Sequence, residues 1–190
     1  MRELSGFAQN GVLLICLDLQ RAHLRDEPVS WQHEARTAAC ERLLGYARRA
    51  GWTIVHSHRV HGPGAKEDAP ISGFEPLPSE AVFFRHEASA LSTPRLAEIV
   101  RGARDGVVLI AGFDLRTSGV ATALDAFNQG VRLTLVKDAL WVARANGLEG
   151  AEAVATERAL WDVVAPFAEV ARVASVLSEF PQTLPVANDV

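Results

Sequence analysis

Six short apolar segments punctuate this chain, and a helical pattern separates most neighbours. The first, VLLICLDL from Val12 to Leu19, is a continuous apolar run with almost no alternation. A strand with one wet face alternates polar and apolar residues, so an unbroken run marks a strand covered on both faces. WTIVHSHRV (52–60), AVFFR (81–85), GVVLIAG (106–112), VRLTLVKDA (131–139) and EVARVAS (169–175) read as the other five strands. Helical patterns fall at about 31–50, from Thr93 and Pro94 onward, at 117–128 and at about 148–165. Strands doubly covered and joined through helices predict an α/β fold: a three-layer, doubly wound sandwich around a six-stranded, mostly parallel sheet.

The 190 residues suit one domain, with about 1–10 and 178–190 as terminal arms. A net charge of −4 without a block of like charge argues against a nucleic-acid partner. No apolar run is long enough to span a membrane, and the N-terminus lacks the apolar centre of a signal peptide. Cys16 and Cys40 fall inside apolar or helical patterns and read as core residues. These features predict a cytoplasmic protein.

In doubly wound sheets, ligands bind beyond the carboxyl ends of the strands. Asp18 ends the first strand, within LDLQ; Arg85 ends the third, within RHEASAL. GFDLRTSGVATALDAF follows the fourth and carries Asp114, Arg116, Thr117 and Ser118. A carboxylate at the end of an apolar strand needs a cation, and Arg85 can supply it. That pair has a purely structural reading, and Ser118 equally suits a first helical turn.

These runs resemble the isochorismatase-like cysteine hydrolase superfamily over nearly the whole chain. Asp18-Leu19-Gln20 matches the family's Asp-Met-Gln, and Ser89-Ala90-Leu91 its Ser-Ala-Phe. The helix matches as Ala-Thr-Ala-Leu-Asp-Ala, Ala121 to Ala126. Arg85 then stands where the family has lysine, and Ser118 where it has the nucleophilic cysteine. The resemblance implies a hydrolase of a small molecule with Asp18, Arg85 and Ser118 as catalytic residues. It also implies an oxyanion element at Phe113 and Asp114, with a cis peptide between them; Gln20, Arg116 and Thr117, at the same strand ends, are further candidates for binding the substrate.

The two replacements alter the chemistry. Serine is far less acidic than cysteine, and a carboxylate is a weak base for it. A guanidinium stays protonated and cannot act as base. One reading is therefore hydrolysis of an amide or other C–N bond, or of a vinyl ether by acid catalysis through the aspartate. The alternative is an inactive or repurposed member that binds a small acidic ligand through Arg85 and Arg116, or serves an assembly role. A homo-oligomer is expected, and no cofactor. His56, His58 and His61 form the one candidate metal cluster; the Asp-x-His of metal-binding relatives is missing.

Overall fold

The computed structural model describes residues 11–24, 31–60, 68–142 and 150–180. The expected arm at 1–10 and residues 181–190 of the arm expected at 178–190, together with His61 and Lys66, lie outside the described residues. Six strands form one sheet: β1 (Val12–Leu17), β2 (Thr53–Arg59), β3 (Ala81–Arg85), β4 (Val107–Gly112), β5 (Leu133–Leu140) and β6 (Ala168–Ala171). Their order is β3-β2-β1-β4-β5-β6, and every adjacent pair is parallel. Helices α1 (Trp31–Arg49), α2 (Pro94–Gly102), α3 (Val120–Asn128), α4 (Gly150–Val164) and α5 (Val173–Glu179) cover the two faces.

The pleat assigns each strand residue to a layer. Leu13, Ile15 and Leu17 of β1 pack with Leu96 and Val100 of α2, Ala123 of α3, and Trp161 and Val164 of α4. Val12, Leu14 and Cys16 face Cys40, Leu43, Leu44 and Ala47 of α1 and Val173 and Val176 of α5. All six β1 residues are buried, which accounts for its unbroken apolar run.

The sixth strand differs from its sequence reading. It stops at Ala171, and Val173–Glu179 is helical rather than extended. Ser178 and Glu179 thus close a helix instead of opening an arm. The helix start is held from outside: the Val173 amide donates to Asp138 Oδ1 at 2.8 Å. Beyond it the Phe180 carbonyl accepts from the Tyr46 hydroxyl at 2.6 Å, so this end of the chain lies on α1.

The strand order reverses direction between β1 and β4. In doubly wound sheets, ligands bind beyond the carboxyl ends of the strands at such a reversal.

Candidate active site

At the end of β1 the backbone makes a sharp excursion. Asp18 has φ 45°, in the left-handed region that a non-glycine residue occupies at a cost. Its amide donates to the Ser57 carbonyl at 2.9 Å, and its carbonyl accepts from the Gln20 amide at 2.7 Å. Alongside it, the Phe113 amide donates to the Leu17 carbonyl at 2.8 Å. Gly112 makes this approach feasible: its φ is 116°, and a Cβ there would sit 2.0 Å from the Leu17 oxygen. The ends of β1 and β4 therefore press together, and the segment after β4 passes directly over Asp18.

That segment is a single π-helical turn, Leu115–Gly119, leading into α3. Such turns displace one residue from the regular helical spacing and recur at functional sites. Asp114 caps it, accepting from the Thr117 amide at 2.9 Å and the Thr117 hydroxyl at 3.2 Å. The Leu115 amide donates to the Trp141 carbonyl, and the Trp141 amide to the Gly112 carbonyl, each at 2.8 Å. Ser118 is thus turned inward by a tied loop.

Arg85, at the end of β3, completes the cluster. Ser89 caps the next short turn by accepting from the Leu91 amide at 3.1 Å. The Ala90 amide donates to the Thr122 hydroxyl of α3 at 2.9 Å. The Ser-Ala-Leu run therefore locks the segment after β3 onto the helix that carries Ser118.

Three side chains from three strand ends meet. Arg85 Nη2 donates to Asp18 Oδ2 at 2.7 Å and to Ser118 Oγ at 3.1 Å, while Ser118 Oγ donates to the same carboxylate oxygen at 2.7 Å. Asp18, Arg85 and Ser118 are 0, 3 and 1 % exposed. Asp18 Oδ1, Arg85 Nε and Arg85 Nη1 are buried without a partner. Buried polar atoms usually find one, so the cluster keeps unspent hydrogen-bonding capacity.

Other residues singled out by sequence take different places. Gln20 spends its side chain on the scaffold: Nε2 donates to the Arg59 and Asp68 carbonyls at 2.8 and 3.0 Å, and Oε1 accepts from the Arg59 amide at 2.8 Å. Arg116 and Thr117 are exposed. The cis peptide expected at Phe113–Asp114 is not found; the described residues contain none. The Phe113 amide already serves Leu17, and its ring stacks between those of His23 and Trp141 at 5.4 and 4.4 Å. His86 is exposed, on the opposite side of the strand end from Arg85.

The histidines on β2 form a buried polar seam. His56 Nε2 lies 2.9 Å from Glu80 Oε2, and Glu80 also pairs with Arg48 at 2.8 Å. Burial holds His56 below its ordinary value despite Glu80. His58 is pushed down to about 4, chiefly by burial and next by His56; Asp18 and Arg85 act on it in opposite senses. Both rings are therefore neutral at pH 7. Their centroids are 5.9 Å apart, and no group of three or more His, Cys, Asp or Glu among the described residues is arranged to hold a metal ion. The strand pleat placed His56 and His58 on one face, but nothing in the local sequence pointed to Glu80 and Arg48 beside them. Cys16 is pushed up to about 12, chiefly by burial, and Cys40 well above its ordinary value for the same reason. Neither thiol is poised as a nucleophile.

The isochorismatase-domain family model matches residues 12–175. The chain belongs to the isochorismatase family. Solved isochorismatase-family structures superimpose along most of its length. An isochorismatase from Pseudomonas putida shares 27% identity at TM-score 0.76, over 87% of this chain and 90% of that one. A cysteine hydrolase from Pseudomonas syringae pv. phaseolicola shares 15% at TM-score 0.75, covering 89% and 92%. N-carbamoylsarcosine amidase from Thermoplasma acidophilum shares 19% at TM-score 0.68, covering 85% and 96%. At those two lower identities the likeness is one of fold. No protein with a curated description matches the chain. No described helix is long and apolar enough to cross a membrane.

Proposed function

We propose that this isochorismatase-family protein hydrolyses a small molecule at a divergent Asp18–Arg85–Ser118 site, with an amide or related C–N bond as the target. The observation that carries the reading is the shared oxygen: Asp18 Oδ2 accepts from both the Ser118 hydroxyl and the Arg85 guanidinium. A hydroxyl already donating to a carboxylate has a path for its proton as it attacks a carbonyl carbon. Arg85 Nη2, in contact with both oxygens, offsets the charge that develops on Ser118 and keeps its own proton. The proton on Asp18 passes to the leaving nitrogen as the C–N bond breaks. Water then opens the acyl ester, giving a proton to Asp18, which returns it to Ser118 Oγ.

A carboxylate remains a weak base for a serine, so modest turnover is expected. Acid cleavage of a vinyl ether would instead use the aspartate as proton donor, with no role for the Ser118 hydroxyl as nucleophile. The second reading, a member that binds a small acidic ligand without turning it over, is favoured by the unpartnered Nε and Nη1 of Arg85. The proposal takes the protein to be a cytoplasmic homo-oligomer. The exposed rings of Phe84 and Phe127 suit a self-contact, and light scattering on the purified chain reads the assembly.

The deciding experiment is a hydrolysis screen over small amides, ureides and isochorismate with Asp18→Ala alongside. Turnover lost in that variant supports the hydrolase. Absence of turnover in the wild type, with activity gained by Arg85→Lys plus Ser118→Cys, supports the repurposed reading.

A further inference from the structure

A cavity of about 350 Å³ lies away from the Asp18 cluster, between α1, α4 and the far edge of the sheet. Its described lining carries three cations, Arg36, Lys137 and Arg172, and two carboxylates, Asp138 and Glu157. Arg36 Nη2 is paired with Glu157 Oε1 at 2.5 Å, which neutralises one of each. Asp138 turns Oδ1 to the Val173 amide. Among the described residues the Lys137 side chain makes only a cation–π contact, 5.1 Å from the Trp161 ring centroid, and the Arg172 side chain makes neither hydrogen bond nor ion pair. One positive charge is left over.

The backbone brings these two cations together. β5 and β6 pair in register as far as Val136 and Ala171, so Lys137 on β5 and Arg172, just past the end of β6, each follow the last registered pair. Like charges at adjacent positions repel. β5 is also irregular here: between Ile110↔Leu135 and Gly112↔Leu140 it advances five residues while β4 advances two. Bulges re-aim side chains and cluster near functional sites, and this one lies where Lys137 and Asp138 enter the cavity wall.

We propose that this cavity binds a small organic monocarboxylate, its carboxylate held between Lys137 and Arg172 and its apolar body against Ala35 and Val154. The volume is at the lower end of the range for small-molecule sites, and a single negative charge balances the excess. The site is independent of the chemistry proposed at Asp18.

The test is isothermal titration of the full chain with benzoate and with its neutral analogue benzamide, in wild type and in Lys137→Met/Arg172→Gln. Saturable benzoate binding is expected, at least about tenfold tighter than benzamide and weakened at least about tenfold in the double variant, the scale of a lost charge-assisted hydrogen bond. No saturable binding, equal binding of benzamide, or undiminished binding in the double variant would each overturn the proposal; the last would assign the anion to another site such as Arg85. If the double variant does not fold, Arg172→Gln alone decides, because that side chain is exposed. Benzoate affinity must fall several-fold in it, and an unchanged affinity refutes the site.

Discussion

Replacing Arg85 by methionine keeps most of the side-chain volume and removes the charge. Asp18, fully buried, would then keep only the Ser118 hydroxyl as partner. Breaking a buried ion pair from one side costs about 3–5 kcal/mol, because the remaining charge loses its counter-ion without regaining water. In a domain of this size each kcal/mol moves Tm by about 2–4 °C, so a fall of roughly 6–20 °C is expected. The same rule predicts a rescue. Asp18→Asn in the Arg85→Met background removes the stranded charge, and the double variant should recover most of the loss. Urea unfolding of wild type, both single variants and the double variant gives the coupling energy directly. An Arg85→Met protein within about 1 kcal/mol of wild type would mean that the carboxylate does not depend on its counter-ion and that the pair is worth no more than an exposed one. A double variant no better than the single would refute the pairing argument itself.

Ser118→Ala removes one hydroxyl but leaves the ion pair, so stability should fall by only about 1 kcal/mol; if the serine is the nucleophile, turnover drops by about a thousandfold or more. A variant with half its turnover left would demote Ser118 to a structural role. Gly112→Ala should fail to fold or lose several kcal/mol, about as much as the worst core substitutions, since its Cβ meets the Leu17 carbonyl at 2.0 Å; a soluble variant with near-native Tm contradicts that contact. His58 titrates at about 4 in the folded chain against an ordinary 6.5. The unfolded chain therefore binds the proton first, and stability falls as pH drops from about 6.5 to about 4, by up to about 3 kcal/mol. Subtracting the pH–stability curve of His58→Phe from that of wild type isolates this term, and a flat difference over that window would rule it out. Asp114→Ala should cost about 1 kcal/mol through the lost cap, measured by thermal unfolding, and lower turnover by loosening the Ser118 turn.

How much could be read beforehand followed from how local the cause was. Double burial writes itself into a strand as an unbroken apolar run, so β4 was legible within a residue and β1 within two. The meeting of Asp18, Arg85 and Ser118 was legible too, because parallel topology sends strand ends to one crevice. Val173–Ser175 was read as the end of a strand and Ser178–Glu179 as the start of an arm, because the helix start depends on Asp138, 35 residues away in sequence. Gln20 was placed at the substrate because its bonds to Arg59 and Asp68 span 39 and 48 residues. Arg116 was read as a second guanidinium beside Arg85; it is exposed, whereas Ser118, two residues on in the π turn, is buried.

The left-handed backbone of Asp18 sets two demands on one position against each other. A β-carbon in that conformation costs about 1–2 kcal/mol, and glycine or asparagine would relieve it. A library randomised at residue 18 and sorted only for resistance to proteolysis should drift toward those two residues. Sorted for turnover, it should return to aspartate. The difference between the two enriched populations would measure, in one experiment, how much folding free energy this chain gives up to hold its carboxylate in place.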